Sequence, residues 1–340
     1  MQRPPTIAID AMGGDYGLSV TVPAALACAA ADLRLILVGQ EPLLSAELRK
    51  HQPLGHPHIV VRHAPQQVEM SELPASALRS KKESSMRVAI NLVKQGDADA
   101  CVSAGNTGAL VATAKYVLKT LPGICRPAIC TRLPTLHGHV HMLDLGANVD
   151  SRAEHLLQFA IMGSVLCASV SGIERPRVAL LNIGEEDIKG NEQVKEAARL
   201  LHASHLNYVG FVEGDGVFFD EVDVVVCDGF VGNVALKTGE GVARLIRQFM
   251  HQAFQRNVMT RLVGLMALPV FRALSRRIDP RCYNGGSLLG LNGIVIKSHG
   301  GVDAVAFANA IRVAQLEIRN AIPQSISKHF FPMDSERQVL

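Results

Sequence analysis

Short runs of apolar residues alternate with longer segments of helical periodicity along most of this 340-residue chain. Nine apolar runs predict strands, at residues 6–12, 33–39, 58–64, 99–105, 140–146, 177–184, 206–212, 222–229 and 293–300. Helical periodicity falls between many of them, at 23–31, 85–95, 106–119, 191–203 and 233–256. Strands that are apolar throughout are typical of a sheet covered on both faces. The alternation therefore predicts an α/β protein with a mainly parallel sheet, long enough to form two lobes around a cleft.

The longest apolar segment, at 156–173, raises the question of a membrane span. It contains Gln158 and three serines, and its length is at the lower limit for crossing a bilayer. We therefore expect a buried helix of the α/β unit and no transmembrane helix. The first residues carry no basic and then apolar leader, so we expect no secretory signal.

The composition narrows the possible function classes. Apolar residues make up 48% and charged residues 19%, which is typical of a globular protein. A net charge of +3 and the lack of tryptophan argue against nucleic-acid binding. The seven cysteines include no C-x-x-C pair, which favours reduced, packed thiols over disulfides or a zinc site. Inert packing is also the better interpretation of Cys101 and Cys227, which lie beside glycine-rich loops.

Glycine and small polar residues gather where six of the predicted strands end. Ligands of open parallel sheets bind beyond the carboxyl ends of the strands. A tight turn with a helix cap explains any one such loop, but six together favour a shared polar floor for a ligand. Its candidate residues include Asp10, Gly13, Gly14, Ser103, Asp144, Gly146, Asn148, Asn182, Lys189, Asp228, Asn233, Lys297, Ser298 and His299.

The loop from Ser103 to Gly108 contains only small residues, and a helical pattern follows it. Asn106 and Thr107 are able to cap that helix, so that its first N–H groups and the positive end of its dipole face the cleft. Such a loop suits a phosphate-like anion approached by backbone. The chain has no G-x-x-x-x-G-K-[ST] and no G-x-G-x-x-G, so a nucleotide is not implied.

Other catalytic patterns in the sequence are weak. No G-x-S-x-G occurs, which disfavours an α/β-hydrolase serine. His137, His139 and His141 alternate, and an exposed polar face is a better interpretation of them than a metal site. Acidic residues at strand ends, such as Asp10, Asp144 and Asp228, have two interpretations. They either gather around Mg²⁺ or orient loops through backbone N–H groups, and we favour the second.

Eight motifs in order, from about residue 7 to residue 321, resemble the PlsX family of phosphate acyltransferases. They are IAIDAMGGD, KKESSM, SAGNTGAL, LDLGANVD, NIGEEDIKGNE, NYVGFVEG, VDVVVCDGFVGNVALKTGEG and YNGGSLLGLNGIVIKSHG. Each motif alone is weak, whereas eight in register are highly specific. The Asp215–Gly216 pair after VEG departs from the family pattern, and this departure concerns local loop detail.

The resemblance implies transfer of a fatty acyl group from acyl carrier protein to inorganic phosphate, giving acyl phosphate for phosphatidic acid synthesis. It also implies a three-layer α/β/α fold like that of the isocitrate and isopropylmalate dehydrogenases and the phosphotransacetylases. The same resemblance implies a homodimer at the inner face of the cell membrane. It also implies a downstream membrane acyltransferase as a further partner. No cofactor or metal is expected, because phosphate is itself a nucleophile.

Residue roles follow from combining this resemblance with the loops. We assign phosphate to the loop formed by Ser103, Gly105, Asn106, Thr107 and Gly108. Around it we place Asp10, Gly13, Gly14, Asn148, Lys297 and Ser298. Lys189 and Asn233 are predicted to stabilise charge and the reacting carbonyl. His299 is either an acid toward the leaving thiolate or a hydrogen-bonded loop histidine.

The segment 250–281 is predicted to be a protruding amphipathic helix-turn-helix, broken at Pro269. Arginines flank its apolar middle, and the side chains predicted to touch a membrane are Leu262, Leu265, Met266, Leu268 and Phe271. Dimer packing is the alternative interpretation of this segment. Its arginines are also able to attract acidic acyl carrier protein. Residues 331–340 are expected to form a tail.

Three other functions compete with the one that the resemblance implies. An NAD- and metal-dependent dehydrogenase of the same fold would need an arginine cluster and an aspartate set that we cannot assemble from the sequence. A short-chain phosphotransacetylase would use acyl-coenzyme A as the donor. A non-enzymatic membrane scaffold would release no thiol in the presence of phosphate.

Overall fold

The computed structural model describes residues 3–52, 55–270 and 279–330, and within these ranges eleven strands form one sheet. The strands are β1 (Thr6–Asp10), β2 (Arg34–Gly39), β3 (Ile59–His63), β4 (Ala100–Ser103), β5 (Ala128–Thr135), β6 (Gly138–Leu143), β7 (Arg177–Leu181), β8 (Asn207–Val212), β9 (Val224–Val226), β10 (Gly286–Leu289) and β11 (Ile294–Lys297). Their order across the sheet is β3-β2-β1-β4-β11-β10-β5-β6-β9-β7-β8.

Twelve helices are described alongside the sheet. They are α1 (Leu18–Cys28), α2 (Glu41–His51), α3 (Pro74–Ser80), α4 (Ser85–Gln95), α5 (Thr107–Leu118), α6 (Ala153–Ser171), α7 (Glu192–His202), α8 (Gly216–Phe219), α9 (Gly229–Gln255), α10 (Val258–Met266), α11 (Ala304–Arg319) and α12 (Ile322–Phe330). A 3₁₀ turn over Pro280–Tyr283 precedes β10.

The sheet changes direction at its centre. Seven of the ten described strand pairs are parallel. The three antiparallel pairs, β11–β10, β10–β5 and β5–β6, follow one another across the middle. Three reversals leave β6, β9, β7 and β8 running opposite to β3, β2, β1, β4 and β11. The carboxyl ends of these two groups of strands therefore lie at opposite edges of the sheet.

Alternate residues of each strand enter different layers of the core. In β1, Ala8 packs with α3, α4 and α5, whereas Ile7 and Ile9 pack with α1, α2 and α11. In the other half, Leu143 and its neighbours pack with α6, α7 and α12. The first of these cores continues across the sheet to Val225 and the start of α9. This arrangement is the predicted three-layer α/β/α fold, with helices on both faces of a mainly parallel sheet.

All nine predicted strands are confirmed, as β1–β4, β6–β9 and β11. The two strands that the pattern missed are β5 and β10. β5 contains Arg132 and Pro134 and loses the apolar signal in its second half, and β10 has only four residues, Gly286–Leu289. Both belong to the antiparallel centre, where tertiary pairing rather than local pattern makes the strand.

The apolar segment at 156–173 forms α6, as predicted. Among the described residues it is the one helix long and apolar enough to cross a membrane, and 56% of its most apolar window is buried inside the protein. Phe159 and Met162 are fully enclosed in the core beneath the sheet. Packing against the sheet therefore accounts for its apolar character.

The predicted helix-turn-helix is the projecting end of α9 together with α10. The helix is broken at Asn257, whose side chain accepts the N–H of Thr260 and starts α10, and again at Ala267, two residues before Pro269. Pro269 falls in the first turn of the next helical stretch, where proline is tolerated. Leu262, Leu265, Met266 and Leu268 are all exposed, whereas Phe271 lies outside the described residues.

Candidate active site

Asp10, Ser103 and Lys297 form a row across three neighbouring strands. Parallel pairing sets Asp10 of β1 opposite Ser103 of β4, and Ser103 opposite Lys297 of β11. In each strand the preceding residue, Ile9, Val102 or Ile296, enters the core on the other face of the sheet. The three polar side chains therefore point to the same face, at the carboxyl ends of their strands.

Asp10 is enclosed beneath the loop that follows β4. It is 1% exposed, and its Oδ2 accepts a 2.6 Å hydrogen bond from the Ser103 hydroxyl. The Ser103 Oγ in turn accepts the N–H of Gly105. Burial raises the pKa of Asp10, while the Ser103 hydroxyl and the nearby Lys297 ammonium lower it. Oδ1 has no hydrogen-bond partner among the described residues.

Gly13 and Gly105 let two loops meet above this carboxylate. A Cβ on Gly13 would lie 2.6 Å from Asp10 Oδ2 and 2.8 Å from the backbone nitrogen of Gly105. A Cβ on Gly105 would lie 2.7 Å from the Met86 side chain. Gly14, at a φ of 91°, approaches Ala104 and Gly300 in the same way. The loops after β1, β4 and β11 thus touch through bare backbone.

The loop after β4 ends as the amino terminus of α5. The Asn106 side chain accepts the N–H of Ala109, as the sequence predicts. Its amide group donates to the carbonyl oxygens of Met70 and Glu72 and is thereby held in place. The N–H groups of Thr107 and Gly108 have no acceptor in the described chain. They open the helix toward solvent, so an anion is able to bind there.

Lys297 supplies the positive charge at this edge. Its Nζ donates to the carbonyl oxygens of Ala104 and Ser298. Burial, and next the like charge of Lys237, lower the pKa of Lys297 to about 8, while Asp10 and Asp15 act in the opposite direction. The lysine is therefore mostly protonated at neutral pH, but its charge is weakly solvated.

Ser298 and His299 continue the loop after β11. Ser298 is fully buried; its N–H donates to the Ser103 carbonyl and its hydroxyl accepts from Asn284, so it supports the loop from below. His299 is exposed, and its Nδ1 accepts the N–H of Gly301. Burial and then Lys237 lower the pKa of His299. At neutral pH the ring is therefore uncharged and carries its proton on Nε2, where it is available as a donor.

Helix α9 links this edge of the sheet to the opposite one. It begins at the end of β9, where Asp228 accepts the N–H groups of Phe230 and Val231. Asn233 follows on the same helix, and its side chain lies against Gly146 of the loop after β6. Lys237, one turn later, is close enough to Lys297 and His299 to lower the pKa of both. Positions four apart share a helix face, so Asn233 and Lys237 lie on the same face of α9.

Asp144 organises the loop at the opposite edge. It is fully buried, and its carboxylate accepts the N–H groups of Ile129, Ala147 and Asn148 and the side-chain amide of Asn148. Burial raises the pKa of Asp144, and these donors act against that shift. Asp144 and Asp228 thus orient loops through N–H groups, as predicted, and Asn148 is part of the same network.

Lys189 lies in the loop after β7, at the same edge as Asp144. Its side chain is 43% exposed and forms an ion pair of 2.7 Å with Glu186. This hydrogen-bonded pair raises the pKa of Lys189. The loop packs on itself, because Asn182 donates to the carbonyl oxygens of Gly184 and Lys189.

The structure therefore divides the predicted polar floor into two parts. One edge holds Asp10, Gly13, Gly14, Ser103, Gly105, Asn106, Thr107, Gly108, Lys297, Ser298 and His299, and the other holds Asn148 and Lys189. The six loops thus follow two groups of strands that run in opposite directions. Helix α9 connects the two groups, since Asn233 contacts Gly146 and Lys237 lies near Lys297, and a floor shared by all six loops stays a prediction. Sequence reasoning also missed Lys237, although its spacing of four from Asn233 was visible.

The histidines and cysteines carry no site of their own. His141 is 2% exposed, so the expected exposed face of alternating histidines is wrong at this position; burial lowers the pKa of His141 to about 3. Cys101 and Cys227 are buried, and burial raises the pKa of both thiols, which agrees with inert packing. The described residues hold no group of three or more His, Cys, Asp or Glu placed to bind a metal ion.

Comparison with known families identifies close relatives of this chain. A family described as "Fatty acid synthesis protein" matches residues 5–325. A phosphate acyltransferase from Nitrosococcus oceani is 60% identical over 98% of this chain and 99% of its own length. One from Alkalilimnicola ehrlichii is 62% identical over 95% of both chains.

Solved structures with the same fold are more distant in sequence. A phosphotransacetylase from Staphylococcus aureus superposes with a TM-score of 0.58 at 18% identity, covering 95% of this chain and 94% of that one. A phosphotransacetylase from Streptococcus pyogenes gives 0.59 at 17% identity with the same coverage. At this identity the likeness concerns the fold alone, and it agrees with the fold class predicted from sequence.

The two loop-orienting aspartates predict different stability losses. Asp144→Ala leaves four N–H donors without their acceptor inside the protein, so we expect the free energy of unfolding to fall by about 3 kcal/mol or more. Asp228→Ala removes an exposed helix cap and should cost about 1 kcal/mol. Urea unfolding followed by circular dichroism measures both. Equal losses in the two variants would contradict the organising role of Asp144.

Proposed function

Because this chain belongs to the PlsX family of phosphate acyltransferases, we propose that it transfers a long-chain fatty acyl group from acyl carrier protein to inorganic phosphate. The product is then an acyl phosphate, an activated acyl donor for phospholipid synthesis. The observation that carries this proposal is the anion loop at the start of α5, which lies beside the Asp10–Ser103–Lys297 row. An enzyme whose second substrate is phosphate needs such a place to hold it.

Phosphate attacks the thioester directly in this reaction. A phosphate oxygen forms a bond to the carbonyl carbon, the carbon–sulfur bond breaks, and the thiolate leaves with the electron pair and takes a proton from solvent. Since phosphate is already an anionic nucleophile, the protein's task is to orient it and remove its water shell. No covalent intermediate with the protein is required.

We assign phosphate to the N–H groups of Thr107 and Gly108, with the Lys297 ammonium as counter-charge. Gly13, Gly14, Gly105 and Asn106 shape the loop so that backbone reaches the anion. Asp10, Ser103 and Ser298 are enclosed, and they act by holding the loop rather than by touching phosphate. This arrangement separates the residues that bind from those that position.

The tetrahedral intermediate needs donors on the other side of the thioester. Asn233 on α9 and the Nε2 proton of His299 are the proposed donors to its oxyanion. Lys237 lies on the same face of α9 as Asn233 and adds positive charge nearby, although its ammonium is paired with Glu240 at 2.8 Å. Lys189, in the loop after β7, is the last group that we propose to stabilise the charge of the intermediate. In the structure its ammonium is paired with Glu186. Asn148 supports Asn233 indirectly, through the Asp144 loop that Asn233 contacts.

A short-chain phosphotransacetylase that uses acyl-coenzyme A is the second candidate. The likeness to phosphotransacetylase structures favours it as far as fold is concerned. Both reactions use the same nucleophile and differ only in the acyl donor, so the choice between them is a donor experiment. A nicotinamide-dependent dehydrogenase is disfavoured, because the arginine cluster that it needs is not found at the described site.

We also propose that the protein works as a homodimer at the inner face of the cell membrane, with the α9–α10 arm as its contact. The exposed side chains of α10 are mostly apolar, and Val258, Met259, Leu265 and Met266 are each at least 63% exposed. No acidic residue occurs in the sequence between Glu240 and Asp279, so this stretch carries a net positive charge. Apolar side chains flanked by arginines suit an anionic lipid surface.

Incubation with palmitoyl-acyl carrier protein tests the proposed reaction. We expect phosphate-dependent release of the carrier thiol and accumulation of palmitoyl phosphate, measured by a thiol reagent and by mass spectrometry. Asn233→Ala and Lys189→Ala should each lower kcat/KM by about tenfold or more, because each removes a donor to the transition state.

Palmitoyl-coenzyme A and acetyl-coenzyme A serve as the comparison donors. Faster turnover of acetyl-coenzyme A than of palmitoyl-acyl carrier protein would replace the proposal by the short-chain alternative. Thiol release without phosphate, or a trapped acyl-protein, would contradict direct attack. Near-normal turnover in both variants, with circular dichroism unchanged, would remove Asn233 and Lys189 from the site.

The lowered pKa of Lys297 predicts a pH dependence of phosphate binding. The pKa is about 8, so the positive charge is present below that pH and is lost as the pH rises through it. KM for phosphate should therefore rise above about pH 8. Lys297→Arg keeps its charge and should flatten this rise, whereas Lys237→Ala removes a repelling charge and should move the rise to higher pH. If KM for phosphate rose at the same pH in the wild type and in both variants, Lys297 would not be the titrating group.

Flotation with phosphatidylglycerol vesicles tests the membrane contact. We expect Leu265→Glu/Met266→Glu to lose binding, because charge on these exposed positions opposes insertion. Leu136→Glu/Val209→Glu alters apolar residues of similar exposure elsewhere and serves as the control. If the arm variant binds vesicles normally but becomes monomeric by light scattering, the arm is a dimer contact instead.

A further inference from the structure

The surface of α3, α4 and α5 carries an excess of positive charge that the site does not use. Between residues 74 and 119 the chain has seven basic residues and three acidic ones, a difference of +4, whereas the whole chain has a net charge of +3. We call these seven residues the α3–α5 basic face: Arg79, Lys81, Lys82, Arg87, Lys94, Lys115 and Lys119.

These cations lack acidic partners within the described chain. None of the seven takes part in an ion pair, although most other regions of the surface show such pairs. Five of them are exposed, and Lys81 and Arg87 are partly exposed. Of the three acidic residues in the segment, Asp99 is already paired with Arg3. Unpaired charges of one sign on neighbouring helices cost stability by repulsion, and a partner of opposite charge would relieve it.

An exposed aromatic ring lies at the centre of this surface. Tyr116 is 55% exposed; the Arg87 guanidinium lies 4.9 Å from its ring centre, and the Lys119 ammonium lies 5.0 Å from it. Both cations are held by this stacking rather than left free in solvent. Tyrosine and arginine, fixed in this way, are the residue types that most often anchor protein interfaces.

The basic face leads directly to the anion loop. α3 begins at Pro74, whose side chain closely approaches Gly108 of the loop. Its seven residues span about 10 Å, so Arg79, near the far end of α3, lies at about that distance from the loop along the helix. α4 begins beside the same loop, since Met86 packs over Gly105. A protein that docks on this face is therefore placed beside the proposed site.

We infer that the α3–α5 basic face is the docking surface for the acidic carrier protein that delivers the acyl group. The inference rests on the proposed function, which requires such a donor, and adds where it binds. Charge complementarity selects an acidic partner, Tyr116 supplies an apolar anchor, and the adjoining loop receives the thioester. In this arrangement the carrier binds α3 and α5, and its acyl group passes Pro74 to reach the anion loop.

The α9–α10 arm is the other basic surface available to the carrier, and the structure favours it less. Of the arm's flanking arginines, Arg281 is engaged by Asp279 and by Asp303. Arg256 and Arg261 are exposed on a projection whose apolar side chains suit lipid. A carrier bound to the arm would contact the carboxyl end of α9, whereas Asn233 lies near the amino end of this helix.

Charge reversal tests the docking surface. Arg79→Glu/Lys82→Glu and Lys115→Glu/Lys119→Glu should each raise KM for palmitoyl-acyl carrier protein by about tenfold or more, with KM for phosphate unchanged. Affinity for holo-acyl carrier protein, measured by fluorescence anisotropy without turnover, should fall by the same factor. Added salt should weaken binding to the wild type more steeply than binding to these variants.

Arg49→Glu/Lys50→Glu on α2 is the matched control. It makes the same change of charge on exposed residues, although Lys50 is paired with Glu47, and α2 packs against the opposite face of the sheet. Carrier affinity within about twofold of wild type is expected there. Normal carrier affinity in both basic-face variants, or loss only in Arg256→Glu/Arg261→Glu, would overturn the inference. If the wild type binds the carrier but produces no acyl phosphate, the proposed function fails while the docking surface stands.

Discussion

The parallel hydrogen-bond register of β1, β4 and β11 is the constraint on which the proposed site depends. It sets Asp10, Ser103 and Lys297 side by side on one face, with no freedom to separate. A slip of one residue in any of these strands would turn its polar side chain into the core and an isoleucine or valine outward. The surrounding apolar residues on the other face, such as Ile9, Val102 and Ile296, make that slip costly. Hydrophobic burial therefore fixes the position of the charged groups.

The reversal of the sheet creates a second requirement, which α9 meets. With the two groups of strands running in opposite directions, their polar loops follow strand ends at opposite edges of the sheet, so another element has to connect them. Helix α9 begins at one edge, at Asp228, and brings Lys237 within electrostatic reach of Lys297 at the other. A single rigid helix thus brings Asn233 and Lys237 toward the anion loop, which loops alone could do less precisely.

The sequence revealed the parts of the fold whose signal is local. Nine apolar strands, the Asn106 cap and the buried α6 were all predictable, because burial on both faces and capping leave marks within a few residues. β5 and β10 were not, since β5 loses its apolar pattern toward Pro134 and β10 is only four residues long. Without them the reversal of the sheet was not predictable, because these two strands make it. Lys237 was missed for a related reason: its importance comes from a neighbour sixty positions later, Lys297, and not from its own surroundings in the chain.

The distribution of charge suits an enzyme whose nucleophile is an anion. Binding phosphate too strongly in the ground state would lower its reactivity, since only interactions that strengthen in the transition state accelerate the reaction. Here the charge nearest the anion loop, on Lys297, is partly enclosed, is repelled by Lys237 and is hydrogen-bonded to two carbonyl oxygens. The cations without acidic partners lie outside, on the α3–α5 basic face, where they attract a partner without holding the nucleophile. The net charge of +3 therefore does not reveal that phosphate binding and partner attraction use different cations. The three-dimensional arrangement separates these two roles.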